Sequence, residues 1–135
     1  MGSTDLEATA KLVAKGHQLS DQEAGSLEGQ LAVNPTDLSL RIQLLGYYFL
    51  RSHKSDSARK ARQRHAVWII QHHADTAIAG LPYVHLDPVL DGEAYDEAKE
   101  LWLGRVSTQD VDSTIRKNAI KFFYVREPDL AEGLL

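Results

Sequence analysis

The chain has 135 residues, of which 43% are apolar and 25% charged, proportions that suit one ordinary globular domain. Nineteen Asp and Glu against 15 Lys and Arg give a net charge of −4, which excludes a general nucleic-acid binder, since phosphate contacts come chiefly from clustered Lys and Arg. The absence of cysteine excludes disulfides, thiolate catalysis and thiolate metal sites.

Met1-Gly2-Ser3 reads as a cloning remnant, and no run is long enough to be a transmembrane helix. The expectation is a soluble chain without membrane insertion, with a cytoplasmic home favoured over export after removal of a signal peptide. A weak first helix is expected from about Asp5 to Ala14, capped by Ser3 or Thr4 and stopped by Gly16. Residues 1–18 are therefore set apart from the domain proper, 19–135.

Ser20-Asp21-Gln22-Glu23 is a capping box, in which serine and glutamate each satisfy the other's backbone amide. The helix that follows turns Ala24, Leu27 and Leu31 inward, with Gly25 and Gly29 one turn apart as a place for close helix approach. Asn34-Pro35 closes it, because the residue before proline is pushed out of the helical region. Thr36 or Asp37 then caps a central helix, Asp37 to Leu50, which is apolar on nearly every side. Such a helix has to be packed on more than one face.

After a polar turn at Ser52–Ser57, a long helix runs from about Ala58 to His73. Its inward stripe is Ala58, Ala61, His65, Trp68, Ile69 and His72, while Arg59, Lys60, Arg62, Gln63 and Arg64 look outward. Periodicity fails from Ala74 to Asp91, where Gly80, Pro82 and Pro88 predict a long ordered loop, functional or a packing cover for the central helix. A helix from Glu93 to Val106 with Asp91 as its cap, another from Asp112 to Val125, and a last one starting at Glu127-Pro128-Asp129 complete the order. The sequence stops within the apolar pattern of Leu130, Ala131, Leu134 and Leu135, so a C-terminal truncation is expected.

The turn Asn34-Pro35-Thr36-Asp37 has weaker echoes at His73-Ala74-Asp75-Thr76 and Thr108-Gln109-Asp110-Val111, at intervals of roughly 35 to 40 residues. Counted from Gln109, Ala119 and Phe122 stand as a small residue and an aromatic three positions on, and Ala131 and Leu135 as an alanine and a large apolar residue four on. Counted from Pro35, Leu44 and Tyr48 fit, though Leu45 replaces the small residue. In these features the chain resembles the tetratricopeptide-repeat family. It departs from it where two turns lack proline and where the 74–91 loop stands in place of a first helix. The resemblance implies an all-α fold of antiparallel helix pairs stacked in a right-handed superhelix; a non-repeating α-bundle is the other reading. It also implies a concave surface lined by Ser113, Arg116, Ile120 and Phe123, and by Ser39, Ile42, Gly46 and Phe49. The second set is so apolar that the 74–91 loop or a bound partner is expected to cover it.

Six histidines invite a metal reading, with His65, His72 and His73 near one helix face and His53 close by. A seven-residue gap spreads two of them by about 10 Å, too far for one ion, and no metal is expected. Asp87, Asp91, Glu93, Asp96, Glu97 and Glu100 are spread along a loop and helix start rather than set across a cleft, so catalysis is not expected either. The basic run Arg51, Lys54, Arg59, Lys60, Arg62 and Arg64 meets only Asp56, as a solvated face or as a docking surface for an acidic segment, the acidic stretch of another copy included. The function expected is a non-catalytic interaction module, without cofactor, that binds a protein or peptide partner. Arg62, Arg64 and Arg116 would select acidic groups, and Ser113, Ile120, Phe123, Ile42 and Phe49 would line the groove. Self-association is the alternative. A metal-binding or hydrolytic enzyme is a third reading, with no nucleophile–base pair behind it.

Overall fold

The computed structural model describes residues 2–108 and 111–135, with side chains from residue 5 onward. The described residues are all-helical in architecture: α1 (Gly2–His17), α2 (Asp21–Val33), α3 (Leu38–Arg51), α4 (Asp56–His72), two 3-10 turns at Ile78–Gly80 and Pro82–Val84, α5 (Gly92–Val106), α6 (Ser113–Phe123) and α7 (Pro128–Gly133). The chain divides into two compact units, Met1–His65 and Ala66–Leu135, and the division falls within α4.

In the first unit, α3 is the element the others pack against. Six consecutive residues, Ile42 to Tyr47, are buried, because α1 takes one side of the helix and α2 another. The α2 side is a cluster of Ala24, Leu31, Leu44 and Tyr47, flanked by Leu19, Leu27, Leu40 and Tyr48. The α1 side is closer still. A Cβ placed on Gly16 would stand 2.1 Å from the carbonyl oxygen of Gln43, and one on Gly46 would stand 2.8 Å from that of Val13. Two glycines thus let the backbones of α1 and α3 touch.

Several sequence expectations change here. Helix α1 begins at Gly2, before the expected Ser3 or Thr4 cap, and continues through Gly16 instead of stopping there. It is also the cover of the apolar central helix, the place given to the 74–91 loop or a partner. Gly25 and Gly29 have nothing within 4 Å of an added Cβ, so the close approach is at Gly16 and Gly46 instead. The capping box is present as expected, Ser20 Oγ accepting from Glu23 N at 3.1 Å and Glu23 Oε1 from Ser20 N at 2.9 Å. Asp37 caps α3 through the amide of Leu40.

In the second unit, α6 packs against α5, α7 and the first 3-10 turn. Phe122 is the hub of its ring cluster, 5.5 Å from Tyr95, 6.2 Å from Trp102 and 5.2 Å from Phe123 between centroids. The 74–91 stretch is not an open loop: Ile78, Ala79, Gly80, Val84 and Leu86 are buried in it. What holds it is Asn118 of α6, whose Nδ2 donates to the carbonyls of Ala74 at 2.9 Å and Thr76 at 3.0 Å. Asp91 occupies the N-cap position of α5 but does not cap it through its side chain. Its carboxylate turns back to accept from the amide of Asp87, and Asp87 in turn accepts from the amides of Val89 and Leu90 and pairs with Arg126. His72, expected inward, is exposed and lies against the Trp68 ring at 4.6 Å, with His73 at 5.3 Å. Of the repeat-like turns, the one at Thr108–Val111 includes Gln109 and Asp110, which lie outside the described residues.

Candidate interaction surface

The corner where α3 turns into α4 carries the densest polar geometry of the first unit. A recess of about 600 Å3 opens there, lined by His17, Asp21, Tyr47, Tyr48, Leu50, Arg51, Lys54, Ser55, Ser57 and Ala58. Tyr47 forms its floor: the Arg51 guanidinium lies 3.8 Å from the ring centroid, and the phenol donates to Asp21. Arg51 also donates to the carbonyl of Tyr47 at 3.0 Å, which fixes the guanidinium over the ring. Burial, and then the bond to Asp21, push the Tyr47 hydroxyl above its ordinary pKa, so it stays a neutral donor. The hydroxyls of Ser55 and Ser57 are 3.1 Å apart at the mouth, and Ser55 Oγ accepts from the amide of Ala58.

Tyr48 joins the recess to a second polar group. Its hydroxyl donates to Glu28 at 2.7 Å, and its ring stacks on His65 at 5.8 Å. His65 is only 2% exposed and sits between Glu28 Oε2 at 3.1 Å and Arg41 Nη1 at 3.3 Å. An arginine can only donate, so Nδ1 accepts from Arg41, and Nε2 carries the proton given to Glu28. Both nitrogens of the imidazole are thus committed. Helices α2, α3 and α4 are tied at this one point.

The bond from His65 pulls the Glu28 carboxyl down to about 2, against the opposing effect of burial and with help from Tyr48. A group whose pKa is lowered by folding stabilises the fold above its unfolded value and loses that contribution as pH falls towards the folded one. With an ordinary value of 4.5, the window is pH 4.5 down to about 2. Allowing for the solvent that still reaches the carboxylate, the contribution at neutral pH is about 2 kcal/mol. Urea unfolding followed by circular dichroism should show the native chain more stable than Glu28→Gln by this amount at pH 7. The gap should close progressively below pH 4.5, and a gap that is the same at pH 7 and pH 3 would contradict the assignment.

The residues expected to contact a partner divide sharply by burial. Arg62 is 8% exposed and lies over the Phe49 ring at 5.1 Å, so it packs inward, not on the outward face. Its long stem explains the reversal, because an arginine can cover an aromatic ring with its alkyl chain and guanidinium together. Phe49 is half-buried beneath it, and Ile42 and Phe123 are core positions. Gly46, placed in the groove by the repeat pattern, is in contact with α1. Arg64, Ser113 and Arg116 are exposed and Ile120 is half-buried; Arg64 stands 3.8 Å from Glu28. The basic positions of the run that remain open are Lys54 and Lys60, both exposed and neither in an ion pair among the described residues. Sequence reasoning missed Tyr47, Tyr48, Asp21 and Glu28 as site residues. Both tyrosines lie within the all-round apolar central helix, and the partners of their hydroxyls lie 26 and 20 positions away.

No helix of the described residues is long and apolar enough to cross a membrane. No family model, curated protein or solved structure matches the chain.

Proposed function

We propose that the chain is a non-catalytic interaction module that docks an acidic segment of a protein partner on the α3–α4 corner. The observation that carries this reading is an open cation, Lys54, on the wall of a preformed recess floored by Tyr47 and Arg51, with the exposed Lys60 further along α4. A recess needs little ordering on binding if its rings and guanidinium are already fixed, so more of the contact energy remains as affinity. Lys54 and Ser57 would meet carboxylates, and the partly exposed Leu50 an apolar side chain beside them. The finer architecture belongs to the same proposal. Packing of α3 on both α1 and α2 supports reading the helices of the first unit as stacked in the tetratricopeptide manner.

Fluorescence anisotropy of a labelled peptide of alternating Glu and Leu, against its Lys and Leu counterpart, tests the reading. The acidic peptide should bind and the basic one should not, and Lys54→Glu with Lys60→Glu should weaken the acidic peptide about tenfold or more. Equal binding of both peptides, or an unchanged affinity in the variant, would overturn it.

A further inference from the structure

The two units carry opposite charge. Unit 1 has nine Lys and Arg against seven Asp and Glu, a net +2, and unit 2 has six against twelve, a net −6. In unit 2 the surplus is concentrated on one helix. Glu93, Asp96, Glu97 and Glu100 of α5 are all exposed, on the face opposite buried Tyr95, Ala98 and Trp102. None enters an ion pair among the described residues, and the cation beside them, Lys99, is taken by Glu127 at 2.9 Å. The helix dipole accounts for Glu93 alone, since only that carboxylate lies in the first turn. Asp96, Glu97 and Glu100 stand beyond its reach.

On α4 the converse holds. Lys60 and Arg64 are exposed cations in a helix that begins at Asp56; Arg64 stands 3.8 Å from Glu28, and Lys60 is in no ion pair among the described residues. The two stripes also match in pitch. Lys60 and Arg64 are one turn apart, about 6 Å along the axis, as are Glu93 and Glu97, and Glu100 lies about 4.5 Å further. Lys54, on the wall of the recess, adds a third exposed cation in the same unit.

We infer that the acidic segment docked on the α3–α4 corner is α5 of a second copy of this chain. This rests on the interaction reading above and names its partner. The contact joins two different faces, so it is heterologous, and a head-to-tail pair leaves the basic face of one copy and the acidic face of the other free for the next. Association is head-to-tail and salt-sensitive, because the stripes are exposed and screened within a Debye length.

Sedimentation velocity on the full chain over a concentration series, at 20 mM and 500 mM NaCl, reads the association directly. Species larger than a dimer form at low salt, and association weakens about tenfold or more at high salt. Lys54→Gln with Lys60→Gln removes self-association, and so does Glu97→Gln with Glu100→Gln, all four positions being exposed. A 1:1 mixture of the two variants forms a dimer and stops there, since each retains one competent face. A monomer at every concentration that still binds the acidic Glu–Leu peptide would overturn the second copy as partner and leave the docking surface standing. Association indifferent to salt and to both variants would also overturn the inference. Failure of both the peptide and the copy to bind would remove the interaction reading with it.

Discussion

Gly16→Ala is expected to destabilise the first unit by roughly 2–4 kcal/mol, although alanine is the better helix former by about 1 kcal/mol. The new Cβ would stand 2.1 Å from the carbonyl oxygen of Gln43 and 2.9 Å from its carbon. Both atoms are backbone of a helix with six consecutive buried residues, so neither can swing away. Relief has to come from moving α1 off α3, which exposes Val13 and opens the contact at Gly46. Two other glycines supply the control. Gly25 and Gly29 lie within α2, where an added Cβ would meet nothing within 4 Å, so alanine there should stabilise by about 0.5–1 kcal/mol each. Urea unfolding by circular dichroism gives both signs, and amide exchange along 5–17 shows whether α1 has come loose. If Gly16→Ala is as stable as the parent chain, the close approach of α1 to α3 is wrong.

Asn118→Leu should cost about 2–4 kcal/mol, because the carbonyls of Ala74 and Thr76 would be left without their donor. Leucine keeps the volume, and it is the two N–H groups that are lost. Asn118→Asp keeps the shape as well but turns an acceptor towards two acceptors, and it should be at least as damaging. Amide protection through residues 78–86 should fall first, since this is the stretch that Asn118 holds. The emission of Trp102, which lies in the same unit, should follow it. Unchanged protection in Asn118→Leu would mean that the apolar contacts of Ile78, Val84 and Leu86 suffice on their own.

Signals in the sequence are legible where the physics is local. The capping box at Ser20–Glu23, the Asp37 cap and the helix break at Asn34-Pro35 depend on residues within four positions of one another. Long-range packing is not legible in the same way. A glycine near a helix end signals a stop in one dimension, and only the crossing with α3 shows why Gly16 has no side chain. Arg62 looks solvent-directed by residue type, yet its guanidinium covers Phe49. The 74–91 stretch lacks periodicity because 3-10 turns and a buried asparagine organise it, and neither leaves a helical or strand pattern. Of the candidate surface, the basic run and the acidic cluster are visible as charge. The recess is not, because Tyr47 and Tyr48 satisfy the same apolar spacing as any core aromatic.

The hydrogen-bond chain at His65 has a direction. Arg41 gives to the imidazole, the imidazole gives to Glu28, and Tyr48 gives to the same Glu28 oxygen. Every proton of the chain points towards the carboxylate, with the ring as the relay between a cation and an anion. Position 65 therefore admits only a side chain that accepts on one edge and donates on the other. Lysine can only donate and glutamate only accept, whatever their size, while glutamine offers both functions in a single amide. What three helices share at their crossing is thus a polarity rule, and it restricts the alphabet there more tightly than volume or hydrophobicity does.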